Sequence, residues 1–205
     1  PGSAIKPFLY AAALENGYTP LSFKDVSETT FTYDSGRKEY TPKNVNNKFA
    51  EEEISLLQAM AISDNIYAVK TLVDIGYDEY RDILKRFNLK FEQQDLPTIA
   101  LGTKENTLYN LTAAYNMIAS KGQSIPATTI LSITNSEGKV VYEYKEPKNK
   151  QVISEEDAFL LTDMMTGMFD ATLSDYAPAT GLSIRPKMTH TYAGKSGTTE
   201  WDQWM

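Results

Sequence analysis

The strongest constraint on the fold is a helical period that begins almost at the first residue, in PGSAIKPFLYAAALENG. Ala4, Ile5, Phe8, Leu9, Ala12 and Ala13 recur at the spacing that builds one apolar helix face. Pro1-Gly2 is a turn pair ahead of that face, and Gly17 stands where the helix can close. The spacing predicts a helix over 3–16, with Ser3 as its cap or in its first turn. Ser3 and Lys6 are three residues apart, so they share a face and can touch. Unpaired N–H groups and the positive end of the dipole gather at the same end. A serine oxygen with an amine beside it and a site for negative charge is one way to activate a nucleophile.

Taken alone, Ser3 reads as a helix cap, because Ser-x-x-Lys also occurs at Ser35/Lys38 and Ser136/Lys139. Those two sit in YDSGRKEY and TNSEGKVVYEY, which read as hairpin turns bent at Gly36 and Gly138. Two further stretches change the weight of Ser3. Ser63-Asp64-Asn65 lies between two helical runs, and Lys195-Ser196-Gly197-Thr198-Thr199 lies in a Thr- and Tyr-rich, strand-like context. Separately, the first is a turn with a helix cap and the second a strand end with a bulge. Together with Ser3 they form an ordered trio: the second opens 60 residues after the first, and the third 132 residues after the second.

With this trio the chain resembles the penicillin-binding proteins, in particular the transpeptidase domain of the bifunctional class A type. The likeness extends through PGSAIKP, through EYTPKNVNNKFAEEEISLLQAMAISDNIYAVKTLVDIG, through ALGTKENTLYNLTAAYNMIASKG and through YAGKSGTTEWDQWM, nearly the whole chain. The resemblance implies an α/β (α+β) fold shared with serine β-lactamases, with helices around an antiparallel sheet. In that family, sheet strands precede the nucleophile helix and follow the third motif. Residues 1–205 therefore read as a partial transpeptidase domain cut at both ends, with an incomplete sheet. An unpaired edge is expected at the Lys195 strand, where a second chain could complete the sheet or the third motif would be poorly formed.

The implied activity is a peptidoglycan D,D-transpeptidase that β-lactams inhibit covalently. The resemblance makes Ser3 the nucleophile, Lys6 its base, Lys195 the second cation, Ser63 a proton relay and Asn65 an orienting amide. It places the oxyanion hole at the backbone N–H groups of Ser3 and Thr198. Gly197 would let substrate lie along the strand edge, and Ser196, Thr198 and Thr199 would offer hydroxyls to its carboxylate. The implied partners are stem peptides ending in D-Ala-D-Ala and β-lactam antibiotics. The implied location is the outer face of a bacterial cell membrane, with no metal and no organic cofactor. Asp64 is expected to be structural, and Trp201 and Trp204 core or cleft-wall aromatics.

The same trio is shared by serine β-lactamases, D,D-carboxypeptidases and non-catalytic β-lactam sensors. A β-lactamase adds a glutamate that activates water, and Glu105 in KENTLYN imitates it, but Tyr109 stands where an asparagine is required. Glu105 is expected at the N-terminal end of a helix over 106–121. The likeness around YTPKNVNN and ALGTKENTLYN favours the synthetic enzymes over the sensors.

Composition narrows the remaining classes. A net charge of −7 with no basic run argues against nucleic acid. With no cysteine there is no thiol nucleophile, and the single His190 has no partner at metal-ligand spacing. The remaining periodicity predicts helices over 52–62, 66–75, 78–87 and from Ser154 to about 169, a hairpin in each of ETTFTYDSGRKEYTP and TTILSITNSEGKVVYEYK, and a last strand holding Lys195.

Overall fold

The structure is a computed structural model that describes residues 1–145 and 148–199. Among the described residues six α-helices occur in order: α1 (Lys6–Glu15), α2 (Leu56–Ile62), α3 (Asn65–Ile75), α4 (Tyr77–Arg86), α5 (Leu108–Ala119) and α6 (Glu155–Thr166). Among them lie β1 (Phe23–Lys24), β2 (Phe31–Tyr33), β3 (Lys38–Tyr40), β4 (Ile54–Ser55), β5 (Gln123–Ser124), β6 (Ser132–Thr134), β7 (Val140–Glu143) and β8 (Lys150–Gln151). The strands join as four antiparallel pairs, β1 with β4, β2 with β3, β5 with β8 and β6 with β7.

The α1 helix is the centre of the molecule. Every residue from Lys6 to Leu14 is buried, so this helix must be covered on all sides. It packs against α3, α4 and α6. Phe8 meets Phe87 and Tyr115 edge-on, with ring centroids 5.0 and 5.4 Å away. The helix starts later than its period predicts: a 3-10 turn over Gly2–Ile5 carries Ser3, and no side chain caps it. Gly17 follows the C-cap at positive φ, as expected of a closing glycine.

Both predicted hairpins form, and they hold the other two Ser-x-x-Lys pairs. Ser35 lies in the β2–β3 turn at φ 56°, and Ser136 in the β6–β7 turn. Lys38 there faces Asp34 at 3.7 Å and no serine hydroxyl. The helix predicted from residue 52 begins instead at Leu56, because Ile54 and Ser55 pair with β1. Ser55 and Gln58 then close a capping box. The α5 helix likewise starts late, at Leu108, with the Thr107 hydroxyl accepting from the Asn110 N–H. Glu105 therefore precedes the cap, exposed, and is not in the first turn.

The predicted strand around Lys195 is not a regular strand. Residues 189–199 carry neither helix nor strand pairing among the described residues. An extended backbone becomes a strand only when a neighbour answers its N–H and C=O groups, and none of the eight strands lies alongside. Trp201 and Trp204 fall outside the described residues.

Candidate active site

The second motif is a turn between two helices. Ser63 ends α2 in the left-handed conformation, φ 63° and ψ 42°. Asp64 caps α3, its carboxylate accepting from the Tyr67 N–H at 2.6 Å. Asn65 is the first residue of α3. Two helices joined so tightly turn their adjoining backbone carbonyls and the Asn65 side chain toward one point, and the Lys6 ammonium occupies it. Lys6 Nζ donates to Ser63 O at 2.7 Å, Asn65 Oδ1 at 2.7 Å and Asp64 O at 3.0 Å, with Ser63 Oγ at 3.4 Å. Asn65 is itself held from behind, its Nδ2 donating to Lys43 O at 2.8 Å.

Three short acceptors match the three hydrogens of an ammonium. Against that, burial pushes the Lys6 pKa well below the usual lysine range, Lys195 adds to the drop, and Asp64 opposes it. Its proton is thus held by geometry and expelled by electrostatics. Losing it breaks one short contact and leaves a lone pair, which is what a general base needs.

The third motif reaches the same place by backbone contact. Gly2 has φ +56°, and a Cβ on it would stand 2.4 Å from Thr198 O. A Cβ on Gly197 would stand 2.5 Å from Pro1 O and 3.1 Å from Ala4 N. Only glycine allows these approaches, so residues 197–198 lie directly on the turn that carries Ser3. Lys195 is partly exposed, and the protein around its ammonium strips enough water from it to pull its pKa down to about 7. Its Nζ donates to Ser196 O at 3.2 Å. Thr198 is exposed, while Ser3, Ser196 and Thr199 are partly exposed.

All three motifs thus share one neighbourhood: Lys6 is bonded to the second, and the Ser3 turn is packed on the third. One expected contact is not made. Ser3 Oγ has no hydrogen bond to Lys6 Nζ, whose hydrogens go to the second motif instead. The sequence profile of the penicillin binding protein transpeptidase domain matches residues 1–203. The chain belongs to the penicillin-binding protein transpeptidase family.

Among relatives of this transpeptidase domain, penicillin-binding protein 2D of Bacillus subtilis (strain 168) is 43% identical over 205 residues, all of this chain and 30% of that protein. Penicillin-binding protein 2a of Streptococcus pneumoniae (strain ATCC BAA-255 / R6) is 34% identical over 203 residues, covering 98% of this chain and 26% of that protein. The chain thus spans less than a third of either relative. The crystal structure of penicillin-binding protein 1A from Haemophilus influenzae superposes with a TM-score of 0.87 at 27% identity, over 97% of this chain and 34% of that one. The imipenem acyl-enzyme complex of penicillin-binding protein A from M. tuberculosis gives 0.80 at 19% identity, over 98% of this chain and 48% of that one, a likeness of fold alone.

Three residues of the candidate site were not singled out by sequence. Asn44 accepts from the Asn65 N–H at 2.8 Å and donates to Asp64 Oδ2 at 2.8 Å. Tyr176 donates to the same Oδ2 at 2.5 Å. Tyr115 donates to Ala4 O at 2.8 Å, steadying the Ser3 turn. The only signal for Asn44 was its place in YTPKNVNN, and nothing local marked Tyr176. His190 is exposed, with Thr189 Oγ1 at 2.9 Å from its Nδ1. No group of three His, Cys, Asp or Glu residues that could hold a metal occurs among the described residues.

Proposed function

We propose that residues 1–205 are the part of a peptidoglycan D,D-transpeptidase domain that carries its catalytic groups, and that Ser3 is the nucleophile. The observation that carries this reading is the four-acceptor cradle of Lys6, built by Ser63, Asp64 and Asn65, beside a serine turn packed on Gly197 and Thr198. Ser3 Oγ attacks the carbonyl carbon of the D-Ala-D-Ala peptide bond and passes its proton to neutral Lys6. The Ser3 and Thr198 N–H groups hold the oxyanion. Ser63 Oγ, 3.4 Å from Lys6 Nζ, hands its proton to the departing nitrogen and takes in its place the one Lys6 received from Ser3, and D-alanine leaves. An amine of a second stem peptide then attacks the Ser3 ester and restores the free hydroxyl. A substrate carboxylate near Lys195 returns that lysine to its charged form, because an anion raises the pKa that burial has lowered.

A β-lactam enters by the same step. Its strained amide opens on Ser3, but the leaving nitrogen stays tethered and blocks the acceptor. The substrates place the reaction on the outer face of a bacterial cell membrane. No helix among the described residues is long and apolar enough to cross one. A partner strand along 189–199 would complete the sheet at the third motif.

The test is a stem pentapeptide ending in D-Ala-D-Ala, supplied with an amine acceptor. Release of D-alanine together with the aminolysis product, both lost in Ser3→Ala, is expected. Release with hydrolysis only would make the protein a carboxypeptidase.

A further inference from the structure

Asp64 is the only fully buried acid among the described residues, and the proposed reaction gives it no step. An N-cap carboxylate needs only the Tyr67 N–H, yet this one has two more donors on Oδ2, Asn44 Nδ2 and the Tyr176 hydroxyl. Tyr176 arrives from the segment after α6, which is pinned to α2 where the Thr180 N–H donates to Ala61 O at 3.0 Å. The backbone carbonyl of Asp64 meanwhile accepts from Lys6 Nζ. One residue therefore joins the base to a buried negative charge and joins that charge to a remote hydroxyl.

We propose that Asp64 and Tyr176 form a positioning pair that sets the basicity of Lys6. The carboxylate fixes the Ser63–Asn65 turn against Nζ and supplies the negative charge that offsets Lys195. The hydroxyl of Tyr176 draws off part of that charge. Without Asp64, Lys6 would face Lys195 unopposed and release its proton too readily to hold one in the reaction. Without the hydroxyl, the carboxylate would keep only the Asn44 and Tyr67 donors, retain more of its charge and hold Lys6 in its charged form. The groups facing Lys6 are Ser63, Asp64 and Asn65 from the second motif and Lys195 from the third. Those facing Asp64 are Tyr10 from α1, Tyr67 from α3, Asn44, Tyr176 and Lys6.

This inference rests on Lys6 being the base, so the test reads Lys6 in two ways. Acylation by a fluorescent penicillin is followed from pH 5 to 10, and the Lys6 ε-carbon is titrated by 13C NMR without any ligand. A nearby opposite charge moves a pKa by about 1 to 3 units. Asp64→Asn should lower the midpoint of both curves by about one pH unit, and Tyr176→Phe should raise it by about half a unit. A slower reaction at an unmoved midpoint in both variants would make the pair merely structural and overturn the proposal. Midpoints moving the same way would overturn it too. If Asp64→Asn does not fold, the direction of Tyr176→Phe decides. Opposed NMR midpoints in a protein that no penicillin acylates would sustain this proposal and sink the acyl-enzyme reading.

Discussion

Lys6 carries the residue-scale logic, because a lysine inside an apolar helix is tolerated only where its ammonium is fully answered. Lys6→Ala removes the donor for three oxygens at once and should slow β-lactam acylation by roughly 100-fold or more, the scale of general-base loss. Stopped-flow acylation of a variant that still melts cooperatively would check this. Gly2→Ala drives a methyl into Thr198 O at a φ that disfavours any side chain, so it should cost about 1–3 kcal/mol and loosen the third motif from Ser3. A variant as stable and as fast as the parent would contradict that contact. Glu105→Gln should leave the adduct lifetime unchanged, since Glu105 sits exposed ahead of the α5 cap. A trapped adduct in that variant, against rapid clearance in the parent, would instead identify a β-lactamase. The three motifs of the candidate site were legible because their residue types and order are unusual together. Asn44 and Tyr176 were not, because they reach Asp64 from 20 and 112 residues away and their partners exist only after folding.

At the scale of elements, helices and hairpins were legible wherever local physics decides. The apolar period of α1 and the glycine turns of both hairpins appear in the structure, whereas the start of α2 at the Ser55 capping box was placed too early, at residue 52. The segment holding Lys195 was not legible in the same way. Its residues favour a strand, but a strand needs a neighbour, which local sequence does not supply. That segment has its own thermodynamic signature. The folded Lys195 pKa of about 7 lies below the ordinary lysine value of about 10.4. Between these values the unfolded chain binds the proton and the folded chain does not, so stability rises with pH across that window. Lys6, also lowered, acts in the same direction. Above about pH 10 the sign reverses, because burial raises the Tyr10, Tyr67 and Tyr176 hydroxyls and only the unfolded chain ionises there. Urea unfolding from pH 7 to 11 should show this rise and fall, and Lys195→Met should lose about half of the rising slope. A wild-type curve flat from pH 7 to 10 would contradict the desolvation of both ammonium groups.

Taken whole, the molecule gathers three segments scattered along 205 residues around one central helix. The α1 helix is enclosed by α3, α4 and α6, so the positions of Lys6 and of the turn bearing Ser3 are fixed by the core. The second motif joins two helices of that core, and the third is laid over Gly2. A fold of this kind brings the turn bearing Ser3, the buried Lys6 ammonium and the third-motif backbone into one neighbourhood. The most direct measurement of this account is the intact mass of the protein after exposure to a β-lactam, followed over hours and mapped by peptide. The account predicts one added β-lactam mass on the peptide containing Ser3, persisting for hours and absent from Ser3→Ala. No adduct on the folded protein, an adduct on another residue, or one that clears within seconds would contradict it.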